Sequence, residues 1–303
     1  MRVAKEFGLK ISLITDEVSA DPEVAFELGR EWGITDYEMR GYFTDRAPML
    51  SAYQKRRLRE MIDEHGAKIV AISPGLFKIP HPAIEPDRSS LGWMDRDFFD
   101  AWASARAAFQ FHVNELLPAS LEYAHELGAR MVVCFAFHRR GLPAGPAPAE
   151  VLDALGRAAE QAASSGLIVA VEPEDGFWAD TGARSAGMVQ TIGHPALGIN
   201  WDPANAFAAG DVPFPDGYTA VRHMVRNVHF KDARRRPDGG TEFVLDGEVD
   251  WPGQIAALRQ DGYEGFIAVE THQRPRIAAA RSSLERLRKL LAPGRRSTID
   301  ERL

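Results

Sequence analysis

The sequence predicts an α/β fold, a (β/α)8 TIM barrel, on three observations. Eight short runs rich in apolar and β-branched residues alternate with helix-like segments from Leu9 to Leu291. Most of these runs are almost continuously apolar, as strands buried on both faces of a parallel sheet are. The length of 303 residues suits one such barrel, and no low-complexity linker divides it, so one domain over 1–303 is expected, with a loosely ordered tail from about Pro293.

The elements follow in order. LKISLIT, from Leu9, is the first strand, and Asp21 as cap with Pro22 at the first helical position starts the helix PEVAFELGREWG. ITDYEMR is a second strand ending at Arg40, followed by a helix over Ala52–His65. AKIVAIS is the third strand; the loop FKIPHPAIEPDRSSLG then precedes a long helix from about Met94 to Leu127. ARMVVCFAF, from Ala129, is the fourth strand and ends at His138, and a helix over Ala149–Ser164 leads to the fifth, LIVAVE. A short helix near Ser185–Ile192 precedes the sixth strand, LGINWD, and a helix around Tyr218–Val225 precedes the seventh, VRNVHF. Arg234–Trp251 reads as a small hairpin excursion turning at Asp246-Gly247. The helix Pro252–Arg259, the eighth strand GFIAVE and the charged helix Ile277–Leu291 complete the ring.

Four of these strands end in a side chain able to hold a metal: Glu172, Asp202, His229 and Glu270. The C-terminal ends of barrel strands form the face where sites are built, so three carboxylates and one imidazole should converge there. Each residue alone could be a solvated strand end or a helix cap; all four at equivalent positions are harder to explain that way. Carboxylate oxygens are hard ligands and imidazole is borderline, a set suited to manganese first, with magnesium, cobalt and zinc also compatible. Strand periodicity adds that the residues two earlier, Ala170, Asn200, Asn227 and Ala268, also face inward and fill a crowded layer beneath.

Composition narrows the function classes. A hydrophobic share of 45% supports a sizeable core, while a net charge of −7 and the short basic run Arg234–Arg236 argue against a nucleic-acid groove. The single Cys134 lies in an apolar run and forms no intrachain disulfide, and no stretch reaches the ~20 apolar residues that span a bilayer. A cytoplasmic protein with neither membrane nor nucleic-acid partner is expected, and a homo-oligomer is compatible.

The chain resembles the sugar phosphate isomerase/epimerase superfamily, the xylose-isomerase-like TIM barrels, in VEPE at the fifth strand, WDPANAFAAGD at the sixth, NVHFKD at the seventh and GEVDWPGQIAALRQDGYEGFIAVE up to the eighth. ITDEVSADPE and YEMR are similar in shape to family segments. The resemblance covers about Gly8 to Leu291. It implies that Glu172, Asp202, His229 and Glu270 take the metal positions and that both Glu residues also move protons, leaving Asp202 and His229 as purely structural ligands. Many members carry a substrate-holding His where this chain has Asn205; an amide still binds hydroxyls but cannot shuttle protons near neutral pH. Arg235 falls where some epimerases contact substrate with an Arg.

Further candidates come from position. Lys231 should point inward with His229 and contact a substrate oxygen, or else form a surface pair with Asp232. His138 is placed to line the cavity, or to serve as a hydrogen-bonded structural residue. Arg40 and Glu38 are placed to bind sugar hydroxyls or a carboxylate, or to pair with each other. Phe77, Trp93, Phe177 and Trp178 lie in loops on the same face, as an apolar wall over a sugar or as loop anchors. The expected activity is isomerisation or epimerisation of a small ketose or keto-sugar through a metal-stabilised enediolate. A lyase or dehydratase that expels a β-substituent, including 3-keto glycoside cleavage, shares the first step. A non-catalytic sugar-binding barrel is the alternative of another class.

Overall fold

The computed structural model describes residues 8–85 and 104–292. Eight strands form a closed barrel: β1 (Lys10–Ile14), β2 (Asp36–Met39), β3 (Lys68–Leu76), β4 (Met131–Cys134), β5 (Ile168–Val171), β6 (Leu197–Trp201), β7 (Val225–Phe230) and β8 (Phe266–Val269). Each pairs in parallel with its sequence neighbours, and β8 closes on β1 through Lys10↔Phe266 to Leu13↔Val269. Parallel order therefore puts every strand's C-terminal end on one face.

The helix starts obey local chemistry. Asp21 accepts the Glu23 N–H at 3.0 Å ahead of Pro22, and Ser51 and Gln54 form a reciprocal capping box that opens Ala52–His65. Gly66, at φ 61°, ends that helix in the left-handed region. Ala149–Ser164 buries Val151, Ala154, Leu155, Ala158 and Ala162, a stripe at helical spacing laid on the barrel. Thr181 caps the next helix, which begins at Gly182, three residues earlier than the sequence suggests.

Several expectations need correction. The excursion after β7 is an antiparallel hairpin of Asp232–Arg235 with Thr241–Val244, and it turns through Arg236–Gly240; Asp246-Gly247 lies beyond it. Gly239 at φ 83° and the Asp238 carboxylate accepting the Gly240 N–H make the tighter turn. The helix placed over Tyr218–Val225 is one turn, Tyr218–Val221, before β7 takes Val225. A short hairpin, Gly41–Tyr42 with Asp45–Arg46, extends β2 above the barrel. The long helix ending at Leu127 is described from Ala105, with a π-helical turn over His112–Leu116; its expected start at Met94 lies outside the described residues, as does the tail from 293.

Candidate metal centre

Glu172 and Glu270 stand one residue beyond their strands, and backbone bonds fix them there: the Glu172 N–H donates to Cys134 O at 2.8 Å and the Glu270 N–H to Phe230 O at 3.1 Å. Asp202 follows β6 and caps the helix Pro203–Ala208, its Oδ1 accepting the Asn205 N–H at 2.8 Å. The cap and the candidate ligand are thus the same residue. Its other oxygen, Oδ2, takes no well-directed hydrogen bond and meets charge instead, Lys231 Nζ at 2.8 Å and His229 Nδ1 at 3.9 Å.

Glu172, Asp202, His229 and Glu270 each offer one ligand atom within 4.8 Å of the others, all four residues being buried. Donors on opposite sides of one ion stand about twice the ~2.0–2.6 Å metal–oxygen distance apart, roughly 4–5 Å, so the cluster has the dimensions of a single cation seat. Three carboxylates aimed at one point in a buried cavity also need positive charge beside them, which Lys231 supplies to Asp202 and Glu270 but not by a contact to Glu172. The donor set therefore fits a divalent ion.

His229 is held on both ring nitrogens. Its Nδ1 faces Glu270 at 3.3 Å and Glu172 at 3.6 Å, while Nε2 meets both oxygens of Glu38 at 3.1 Å. Glu38 in turn accepts from the Ser73 hydroxyl and from Asn227 Nδ2 at 3.0 Å. A fully buried carboxylate on the far ring nitrogen sets the orientation of a ligating imidazole. Asn200 donates to Glu172 Oε2 at 3.0 Å and Asn205 to Oε1 at 3.1 Å, so each oxygen of Glu172 has an amide partner. The inward Asn200 and Asn227, opposite one another between β6 and β7, orient carboxylates as well as fill the layer.

Charge coupling runs through the cluster. Burial pushes Asp202 up to about 6, helped by Glu270 and Glu172 and opposed by Lys231. Burial also opposes ionisation of Glu270, but Lys231 and His229 outweigh it and hold this carboxyl well below its ordinary range. Glu172 is lowered in the same way, His229 overcoming burial. For His229 burial disfavours charge, yet Glu38, Glu172 and Glu270 together raise it well above the ordinary histidine value.

The other candidates divide. Lys231 does point inward and is 2% exposed, but its partners are Asp202 and Glu270 Oε2, both at 2.8 Å. Asp232 is not its mate; it pairs with Arg286 at 2.8 Å. Arg40 lines the cavity, yet it bonds Glu270, Asp16 and Glu17 rather than Glu38, because Glu38 is turned to His229 below. Arg235 stacks on Phe207 at 4.5 Å and donates to Thr241 Oγ1 and Phe207 O, both at 2.7 Å, outside the four-residue cluster. His138 stays out of the cavity: its Nδ1 accepts the Arg140 N–H at 2.8 Å and its ring packs on Phe177. Phe77, Phe177 and Trp178 are buried loop anchors, Phe77 stacking on Phe137, and Trp93 lies outside the described residues.

Two residues were not singled out as site residues from sequence. Glu17 binds Arg40 and accepts the N–H groups of Thr271 and His272 at 3.1 and 2.9 Å, anchoring the chain just after Glu270. His272, at φ 52°, places Nε2 3.1 Å from Glu270 Oε1. The signal for Glu17 was its place beside Asp16 after the first strand; for His272 it was only proximity in sequence to Glu270. The resulting cavity, about 250 Å³, is walled by Arg40, Glu172, His229, Glu270, Phe135 and Glu174 among others.

A family model described as xylose isomerase-like TIM barrel matches residues 26–290. No curated protein matches the sequence. Among solved structures, a D-allulose 3-epimerase from Methylomonas sp. in complex with D-allulose is 15% identical with a TM-score of 0.65, covering 93% of this chain and 97% of that one. A 3-keto-D-glucoside 4-epimerase from E. coli is 17% identical with a TM-score of 0.60 over 93% and 98% of the two chains. A xylose isomerase-like TIM barrel protein from Mycobacterium smegmatis in complex with magnesium is 15% identical with a TM-score of 0.62 over 96% and 98%. Among the described residues no helix is long and apolar enough to cross a membrane.

Proposed function

Because the chain belongs to the xylose isomerase-like TIM barrel family, we propose that it is a divalent-metal-dependent isomerase or epimerase of a small ketose or keto-sugar. The observation that carries this reading is the meeting of Glu172, Asp202, His229 and Glu270 within 4.8 Å at the open end of the barrel. When bound there, a divalent ion such as manganese would act as a Lewis acid that polarises a substrate carbonyl and favours negative charge on its oxygen.

The chain's own residues do the rest. Glu172 and Glu270 are both held ionised and thus able to accept a proton. Coming from β5 and β8, they approach the cavity from different sides, one to take a proton from carbon beside the carbonyl and the other to return one. Asn200 and Asn205 each hold one oxygen of the Glu172 carboxylate, while Arg40 and His272 hold Glu270 Oε1 and Lys231 holds Oε2. Asp202 and His229 serve as ligands only, His229 being steadied by Glu38.

The experiment is turnover of a panel of ketoses and 3-keto glycosides in deuterated water with manganese, followed by product identification. Deuterium at the carbon beside the carbonyl, in an isomer or epimer, supports the reading. Loss of a β-substituent after exchange would assign the lyase outcome instead. Conversion with complete retention of the substrate's own hydrogen rules out proton transfer by the two Glu residues.

A further inference from the structure

At the opposite end of the barrel from the metal cluster, where the strands begin, lies a cavity of about 540 Å³. Asp36, Ile168 and Phe266 stand at even spacing before Glu38, Glu172 and Glu270, so strand periodicity points them into the barrel from its N-terminal end. Met131, Ile168 and Phe266 give the cavity an apolar wall, and its volume falls in the ~300–1,000 Å³ range of ligand sites.

Positive charge gathers at the rim. Lys68, Arg130 and Arg226 line the cavity against one carboxylate, Asp36, although the whole chain carries a net charge of −7. Lys68 and Arg130 are exposed, and neither side chain makes a hydrogen bond or ion pair among the described residues. Arg226 is brought there by a bulge in β7, where Val225 pairs with Ile199 and Asn227 with Asn200. Gly198 leaves room for it: a Cβ there would stand 2.4 Å from Arg226 Cγ. Nη1 of Arg226 donates to His223 O and Val225 O at 3.2 and 3.1 Å, and Nη2 has no partner among the described residues.

A second demand comes from inside the barrel. Asn227 walls the same cavity and is 1% exposed. Its Nδ2 is committed to Glu38 Oε2 at 3.0 Å, whereas its Oδ1 is buried with no hydrogen-bond partner among the described residues. Buried amide oxygens are ordinarily satisfied, so this one calls for a donor. A guanidinium with free N–H groups, as on Arg130, pairs with a carboxylate through two parallel bonds. We infer that the N-terminal mouth of the barrel binds a small carboxylate with an apolar body. Arg130, with Lys68 and Arg226, holds its charge; Met131, Ile168 and Phe266 cover its body; a hydroxyl or N–H at its inner end donates to Asn227 Oδ1. Inorganic phosphate would leave the apolar wall uncovered. The site is separate from the metal cavity and does not depend on the keto-sugar reading. Asn227 is the point where the two come near, because the Glu38 it holds stands behind His229.

The test is calorimetry on the manganese-loaded full chain with three probes. p-Hydroxyphenylacetate carries the carboxylate, the apolar body and the donor; phenylacetate lacks the donor, and p-cresol lacks the carboxylate. The first should bind about tenfold more tightly than p-cresol and severalfold more tightly than phenylacetate, the usual worth of one charged and one neutral hydrogen-bonding group. Arg130→Glu and Lys68→Glu should each weaken it about tenfold. Neither side chain has a partner to lose, so manganese affinity and melting temperature should stay as in the native chain. Equal affinity for the three probes overturns the inference. Binding untouched by both variants also overturns it, and would place the carboxylate on the manganese at the other end of the barrel.

Discussion

Glu38 lies directly behind His229, its two oxygens each 3.1 Å from Nε2, while Nδ1 is turned to Glu172, Asp202 and Glu270. The pair links β2 to β7 across the barrel and leaves Nδ1 as the ring nitrogen that faces the carboxylate cluster. Glu38→Gln keeps the shape and removes the charge, so the ring loses its anionic anchor. Divalent-metal affinity should fall about 10- to 100-fold, the usual cost of losing such a support. Metal titration of the two proteins checks this, and equal affinities would show that Glu38 does not govern His229.

Metal binding should release protons. In the metal-free chain His229 is held protonated well above its ordinary range, and a ligating imidazole must be neutral. Affinity should therefore weaken as pH falls and protonation of His229 competes more strongly. Calorimetry at neutral pH in buffers of different ionisation enthalpy should report about one proton released per ion. No dependence on the buffer would place the ion away from His229.

The division of roles predicts different outcomes for two substitutions. Asp202→Ala should mainly reduce metal content, with activity recovering in part at high metal concentration. Glu172→Gln should retain some metal and still lower turnover by about 10²- to 10⁴-fold, the typical contribution of a positioned base. Equal metal loss in both would contradict this division of roles.

His112 gives a pH-dependent stability prediction outside the site. Burial lowers its pKa from 6.5 to about 4, and its neutral Nδ1 accepts the Phe77 N–H at 2.8 Å. The folded value lies below the unfolded one, so between them the unfolded chain binds more protons. The contribution is complete above about pH 6.5 and is lost as pH falls towards about 4. The melting temperature of His112→Gln should therefore fall less steeply over that window than that of the native chain; parallel slopes would contradict the assignment.

The barrel and the four strand-end residues were legible in the sequence because both depend on local regularities: short apolar runs, and one polar residue repeated where each run ends. What was not legible depends on how deep a side chain sits and which way it turns. Glu38 and Arg40 are two residues apart and read either as two substrate contacts or as a pair, but β2 ends at Met39, leaving Glu38 under His229 and Arg40 above it with Glu270. The loop aromatics Phe77 and Trp178 were placed on the correct face without the orientation that buries them. The hairpin turn was read at Asp246-Gly247, but the five residues Arg236–Gly240 take it because Asp238 and Gly239 satisfy its backbone. Asn200 and Asn227 read as filling; that they hold carboxylates follows only from the register across β6 and β7.

The central claim is tested most directly by a crystal structure with manganese, using anomalous scattering to locate the ion. One peak is expected per chain, about 2.0–2.6 Å from a carboxylate oxygen of Glu172, Asp202 and Glu270 and a similar distance from Nδ1 of His229. No peak at this cluster, or a peak held by Glu17, Glu270 and His272 in its place, would contradict the account.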